Sequence, residues 1–360
     1  MSATAPLIPV TLLSGFLGSG KTTVLNHLLR QPALADTLVI INEYGEIALD
    51  HLLVKHSRED LLMELSSGCL CCTIRGDLVQ TLAEVGRELA TGERRPLRRV
   101  LIETTGLADP APIIHTLMTH TQVASRYRLD GIVVTVDLAA GAVTLASQPE
   151  ALKQVAVADV LLLTKGDLVS AGEGEVVLAR LQQLNPAAPR WPAPQGVVEA
   201  ERLLDLGLFS SRGEGADVER WLNEPAYRPL KQPVVPRHLG TSLRLPPANR
   251  HDGDIRSFCL SLDEPLADSE LSDWLELLMS VAGSHILRVK GIVNIQGRER
   301  PVVLHSVQHI FHPPVWLPAW PSADRRTRLV FITRGVEREV VEGILLALRG
   351  AVAPIEEQSA

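Results

Sequence analysis

The stretch from Leu7 to Arg30, "LIPVTLLSGFLGSGKTTVLNHLLR", decides the fold. Residues 7–15 form an apolar, β-branched run that reads as a buried strand. Residues 21–30 place apolar side chains at helical spacing and read as a helix. Between them, Gly15, Gly20, Lys21 and Thr22 satisfy the pattern G-x-x-x-x-G-K-[ST] in the strand–turn–helix context that the pattern requires. The glycines let backbone N–H groups wrap around phosphate oxygens. Lys21 supplies a point charge, and the Thr22 hydroxyl suits Mg²⁺. Gly15, Gly18, Ser19, Gly20, Lys21, Thr22 and Thr23 are therefore the expected phosphate-binding residues, with Lys21 also serving catalysis. An ordinary glycine-rich turn would leave Lys21 and Thr22 unexplained.

Moving outward, residues 37–45, 98–106, 131–138 and 157–167 are further apolar, β-branched runs separated by helix-length segments. That alternation predicts an α/β fold, a parallel sheet with helices on both faces, as in P-loop NTPases. Right-handed crossovers then put the loop after each strand on one ligand-binding edge. From about Asn185 the chain turns rich in proline, and residues 210–251 are mostly polar or proline-punctuated. This reads as a loose domain end and a linker. Beyond it the order is strand, helix, three strands, helix, with a helix on each side of a strand set. A small α+β sandwich is expected there. The boundaries follow as a nucleotide domain over 1–210, a linker over 211–252 and a C-terminal domain over 253–360.

Composition excludes several classes. The 360 residues are 46% hydrophobic and 21% charged, with a net charge of −7, so no overall case for binding nucleic acid arises. The one basic cluster, Glu93 to Arg99, reads as a solvated loop. There is no basic-then-apolar leader, and no apolar run approaches the ~20 residues a bilayer needs. A cytoplasmic protein with reduced thiols and no membrane contact is the expectation.

"LLLTKGDL" puts Thr164, Lys165 and Asp167 at the end of a late strand, matching the [NT]-K-x-D pattern that reads guanine. The aspartate accepts from N1–H and the exocyclic amine, which adenine does not present. GTP and GDP are therefore favoured over ATP. Between this motif and the phosphate loop lies "LIETTGLADP". Glu103 ends an apolar run there and is expected to hold Mg²⁺ as a catalytic acid at the nucleotide edge. Gly106 would let the chain approach the γ-phosphate and move when that phosphate leaves.

Three of the four cysteines, Cys69, Cys71 and Cys72, fall within "ELSSGCLCCTI". Vicinal cysteines make poor disulfide geometry. Thiolates suit Zn²⁺ or Cu⁺ and, with mixed ligands, Co²⁺ or Ni²⁺. No second Cys pair completes a closed zinc site, which favours an open or transient one. Redox sensing and a packed, inert cysteine are the rival readings. Glu43, Glu46 and Asp50 offer carboxylates after the second strand. His115 and His120 follow the Glu103 loop, and His115 reads rather as an ordinary helix residue.

Taken together, "GFLGSGKTT", "INEYGE", "SSGCLCCTI", "IETTGLADP" and "LLLTKGDL" resemble the CobW family of P-loop GTPases, and the longer stretches resemble its YjiA branch. "ILRVKGIVNI", "VLHSVQHIF" and "RLVFITRG" are similar to the CobW C-terminal domain. The resemblance implies a slow GTPase that binds Zn²⁺ or Co²⁺ and serves metal delivery to a client metalloprotein. It also implies that Cys69, Cys71 and Cys72 form the metal motif and that Glu46 and His120 add ligands. The histidine-rich stretch of many members is not present here. The expected function is a GTP-hydrolysing metallochaperone that couples nucleotide state to metal transfer. A GTP-dependent switch with a static structural zinc and a small-molecule P-loop kinase are the alternatives, and a homodimer is left open.

Overall fold

The computed structural model describes residues 6–41, 62–64, 72–207, 218–227, 255–311 and 313–352. The chain divides into two compact units, Met1–Asp217 and Val218–Ala360.

The first unit runs β1 (Ile8–Gly15), α1 (Lys21–Leu28), β2 (Thr37–Ile41), β3 (Leu62–Glu64), α2 (Cys72–Thr91) and β4 (Arg99–Glu103). It continues with α3 (Ala111–Thr119), α4 (Thr121–Ala124), β5 (Tyr127–Asp137), α5 (Gly141–Ser147), α6 (Pro149–Val157), β6 (Val160–Thr164), α7 (Ala171–Leu184) and β7 (Arg190–Pro192). The strands form one sheet in the order β3-β2-β4-β1-β5-β6-β7, and every pairing is parallel. β1 is central, and seven of its eight residues are buried. Both of its faces meet helices, so its apolar residues run continuously instead of alternating. On one face Leu13, Leu101 and Val133 pack with Val24, Leu25 and Leu28 of α1. Val10, Leu12 and Ile102 are as deeply buried on alternate positions.

The expected P-loop sheet is present, with three differences in extent. β5 begins at Tyr127, not Gly131, because Arg128 and Asp130 interrupt the apolar run yet are satisfied inside the fold. Asp130 accepts from Arg99, from Arg128 Nη1 at 3.1 Å and from the Asp205 N–H at 3.0 Å. The proline-rich region read as a loose domain end instead forms β7, an edge strand paired only with β6. An edge strand tolerates proline because one side needs no ladder donor. The chain then packs back: Ala193, Val198, Ala200 and Leu203 join the α1 core. The three-residue β3 has too few residues to leave a periodic signal.

The second unit contains α8 (Val218–Leu222), β8 (Ile255–Leu262), α9 (Asp268–Ala282), β9 (Ile286–Val293), β10 (Val302–Val307), β11 (Ile310–Phe311), β12 (Val315–Trp316), β13 (Thr327–Arg334) and α10 (Arg338–Val352). Its antiparallel sheet is ordered β11-β10-β9-β13-β8, with β12 on β10. The two long helices do not flank the sheet. They lie together, with the Trp274 indole donating to the Val341 carbonyl at 3.3 Å, and feed one core with Leu260, Val289 and Phe331. Part of the stretch read as linker is ordered: α8 buries Val218, Trp221 and Leu222. Trp221 lies under the Lys290 ammonium, 5.1 Å from the ring centre, and edge-on to His305. Among the described residues no helix is long and apolar enough to cross a membrane.

Candidate functional site

β1 delivers the phosphate loop to the carboxyl edge of the sheet. Gly15, Gly18 and Gly20 take φ values of 144°, 73° and 90°, which side-chain-bearing residues rarely adopt. Space also excludes a side chain at Gly15, where a Cβ would fall 2.1 Å from Thr135 Oγ1. The loop turns on a Ser19 N–H to Phe16 carbonyl bond of 3.0 Å and enters α1 at Lys21. Lys21 is buried, and its ammonium donates to the Phe16 carbonyl at 3.4 Å. The positive charge is thus held inside the curl of the loop, beside the open first-turn N–H groups of α1.

Thr22 donates its hydroxyl to Glu103 Oε1 at 3.2 Å. Glu103 is the last residue of β4, buried between β1 and β2 in register with Leu13 and Ile41. A hydroxyl and a carboxylate meeting beside the loop are hard oxygen donors of the kind Mg²⁺ takes. The following loop is tied down as well. Thr104, fully buried, donates to Ser14 Oγ at 2.8 Å. A Cβ on Gly106 would sit 2.6 Å from the Leu17 Cα, so this loop rests directly on the phosphate loop.

The third segment arrives from β6. Thr164 is buried, and its hydroxyl donates to the Ser19 carbonyl at 2.7 Å. It braces the phosphate loop, which leaves Lys165 and Asp167 as the members of the motif that present side chains outward. Lys165 adopts a left-handed φ of 56°, and its ammonium contacts Asp137 Oδ2 at 2.7 Å. The other Asp137 oxygen accepts from the N–H groups of Ala139 and Ala140. Asp167 is exposed in a single 3₁₀ turn.

Sequence reasoning missed the buried hydroxyls Ser14, Thr104 and Thr135, and also Asp137. Ser19 Oγ and Thr135 Oγ1 lie 2.6 Å apart, and Thr135 Oγ1 lies 3.3 Å from the Ser14 carbonyl. The available signal was a Thr or Ser at or next to each strand end, Ser14 and Thr135 inside β1 and β5 and Thr104 just past β4. Thr is also a common β-strand residue.

The cysteine motif is only partly within the described residues. Cys72 begins α2. Cys69, Cys71, Glu43 and Glu46 lie outside the described residues. β2 and β3 end level with Glu103, with Ile41 in register with both Glu64 and Glu103, so both strands finish on the phosphate-loop edge. His120 lies within the described residues. It joins α3 to α4, a helix length of about 13 Å from the start of α3. The strand that follows α4 meets α2 at Leu82, whose carbonyl accepts from Tyr127 Oη at 2.9 Å. Leu82 is about 15 Å along α2 from Cys72. His120 Nδ1 is buried with no hydrogen-bond partner among the described residues. No group of three His, Cys, Asp or Glu gathers as a metal cluster among the described residues. Cys259, alone in β8, is no candidate: burial pushes its thiol up to about 11, away from the reactive thiolate.

Residues 9–192 match the family model described as "CobW/HypB/UreG, nucleotide-binding domain", and residues 255–349 match "Cobalamin synthesis protein cobW C-terminal domain". The zinc chaperone YjiA of Escherichia coli is 33% identical over 343 residues, covering 95% of this chain and 99% of that protein. The zinc chaperone CobW of Sinorhizobium sp. is 28% identical, with 90% and 92% covered. The crystal structure of Zn(II)-bound YjiA GTPase from E. coli superposes with a TM-score of 0.67 at 27% identity, covering 96% of this chain and 100% of that one. The phosphate loop, the Thr22–Glu103 pair and the Thr164–Asp167 segment sit in the first matched region, and the antiparallel sheet with its paired helices forms the second: the chain belongs to the CobW family of P-loop proteins.

Proposed function

We propose that this protein is a GTP-hydrolysing metallochaperone that takes Zn²⁺ as cargo at Cys69, Cys71 and Cys72 and releases it to a client metalloprotein. The observation that carries the reading is the meeting of three segments on one sheet edge: Lys21 and Thr22, Glu103 through its bond to Thr22, and Thr164 through its bond to Ser19. Lys21 and the glycine-loop N–H groups neutralise the β- and γ-phosphates. Asp167 accepts from guanine, and Lys165 is held on Asp137 next to it. Thr22 and Glu103 would hold Mg²⁺, which screens the charge of the triphosphate when bound. Gly106, already against Leu17, gives the loop after Glu103 a backbone that can answer the γ-phosphate.

In sequence, Cys69, Cys71 and Cys72 follow β3 and Glu43 and Glu46 follow β2, and both strands end on the nucleotide edge. A γ-phosphate that orders the edge would draw carboxylate and thiolate ligands together, and hydrolysis would loosen them. His120, whose Nδ1 is buried without a hydrogen-bond partner among the described residues, is a further candidate ligand. The names of the relatives, zinc chaperone and, in Dictyostelium discoideum, zinc-regulated GTPase metalloprotein activator, support zinc as cargo and a protein client. Among the described residues none of the phosphate-loop contacts comes from an arginine or glutamine side chain aimed at the phosphate position, so turnover without a partner should be slow.

The test is a Zn²⁺ titration of the reduced protein with Mg-GTP analogue, with Mg-GDP and without nucleotide. The affinities should differ by about tenfold or more between the two nucleotide states. Equal affinities would sink the coupling. Stoichiometric zinc that survives chelation in every state would indicate a static structural site instead.

A further inference from the structure

One buried amide outside every motif holds the loop that follows Glu103. Gln154, in the middle of α6, is 1% exposed. Its Nε2 donates to the Gly106 carbonyl at 3.3 Å and to the Ala108 carbonyl at 3.0 Å. Two carbonyl acceptors identify the amide atom facing them as nitrogen. The preceding residue grips the same loop: Lys153 Nζ contacts Asp109 Oδ2 at 3.1 Å. Asp109 in turn accepts from the Ala111 N–H at the start of α3, at 3.0 Å. Gln154 also lines a cavity of about 30 Å³ with Phe16 and Leu17 of the phosphate loop. It therefore borders both loops, whose backbones approach one another at Gly106 and Leu17.

We propose that Gln154 is a positioning residue for GTP hydrolysis: by holding the carbonyls of Gly106 and Ala108 it sets the backbone that faces the γ-phosphate, with Lys153 and Asp109 as the outer half of the same clasp. This rests on the hydrolytic reading above. The physical reason is economy of donors. The loop runs Thr104 to Pro110 outside helix and strand. Its Thr105 carbonyl is met by the Ala108 N–H, whereas those of Gly106 and Ala108 are both met by this single side-chain amide. Removing that amide frees the loop to take other arrangements, which costs the chemical step far more than diphosphate binding, because GDP lacks the phosphate that the loop faces.

The experiment measures kcat and KM for GTP, and the Kd for GDP, in wild type, Gln154→Leu and Lys153→Met. In Gln154→Leu kcat should fall about tenfold while KM and the GDP Kd stay within about twofold. Lys153→Met, at a half-exposed pair where folding is safe, should show the same split at about threefold. An unchanged kcat in both variants overturns the inference, as does a parallel loss of kcat and GDP affinity, the mark of a merely structural role. If Gln154→Leu does not fold, the split in Lys153→Met alone decides. A wild-type protein that binds GTP and never hydrolyses it overturns this inference and the hydrolytic reading together, whereas normal wild-type turnover with unaltered variants overturns this inference only.

Discussion

At the scale of single residues, the nucleotide edge depends on charges satisfied far beneath it. Asp130 lies at the opposite end of β5 from Asp137, 1% exposed, and accepts from Arg99, Arg128 and the Asp205 backbone. Arg99, itself buried, also donates to Thr11 on β1 at 3.0 Å. The group joins β1, β4, β5 and the return segment after β7. Asp130→Ala leaves a buried guanidinium without its main partner, a change that typically costs about 3–5 kcal/mol. Urea denaturation should show that loss, and the double variant with Arg99→Met should recover part of it because the deeply buried guanidinium is gone. Asp205 and Arg128, which also lose a partner, are less buried. A double variant less stable than Asp130→Ala would contradict this account.

Elements carry the next level, and here glycine decides which loops touch. Gly106 is needed for proximity, not for an unusual backbone angle: it is absent from the positive-φ set, yet any Cβ would press into the Leu17 backbone. Gly106→Ala should therefore keep the fold, with a thermal midpoint within a few degrees of wild type. GTP turnover should drop about tenfold or more, because the two loops can no longer close. Turnover equal to wild type would show that the contact is dispensable. The elements also mark how far sequence reading reaches. β1, the phosphate loop and α1 were legible because their chemistry is contiguous within 24 residues, Leu7 to Arg30. β3 was not, because three residues carry no period. β7 was hidden by its prolines, and α8 by the polar composition around it. In each case tertiary burial overrode local pattern: Trp221 is held by Lys290 and His305, and neither is near it in sequence.

Across the whole nucleotide unit, one buried phenol reports on integrity. Tyr127, 1% exposed at the start of β5, donates to the Leu82 carbonyl of α2, and burial pushes it up to about 12 from an ordinary value of 10.0. A folded-state value above the unfolded one means that the neutral phenol is favoured by the fold. Its contribution is complete below pH 10 and is lost as pH rises toward about 12, where the unfolded chain sheds the proton first. Urea midpoints should fall over that window in wild type and fall less in Tyr127→Phe. Parallel declines would show that Tyr127 is not the group responsible.

The sequence by itself determined the fold class, the place of the glycine–lysine loop and the order of motifs along the edge, since glycine, lysine and strand-end acids at short spacing have few other uses. Only the tertiary structure decided what each motif touches. Thr164 reaches the Ser19 carbonyl across 145 positions of chain, and Gln154 reaches Gly106 across 48. Hydrogen bonds of a buried polar group are set by whatever the packed strands bring within 3 Å or so, and no local pattern records that distance.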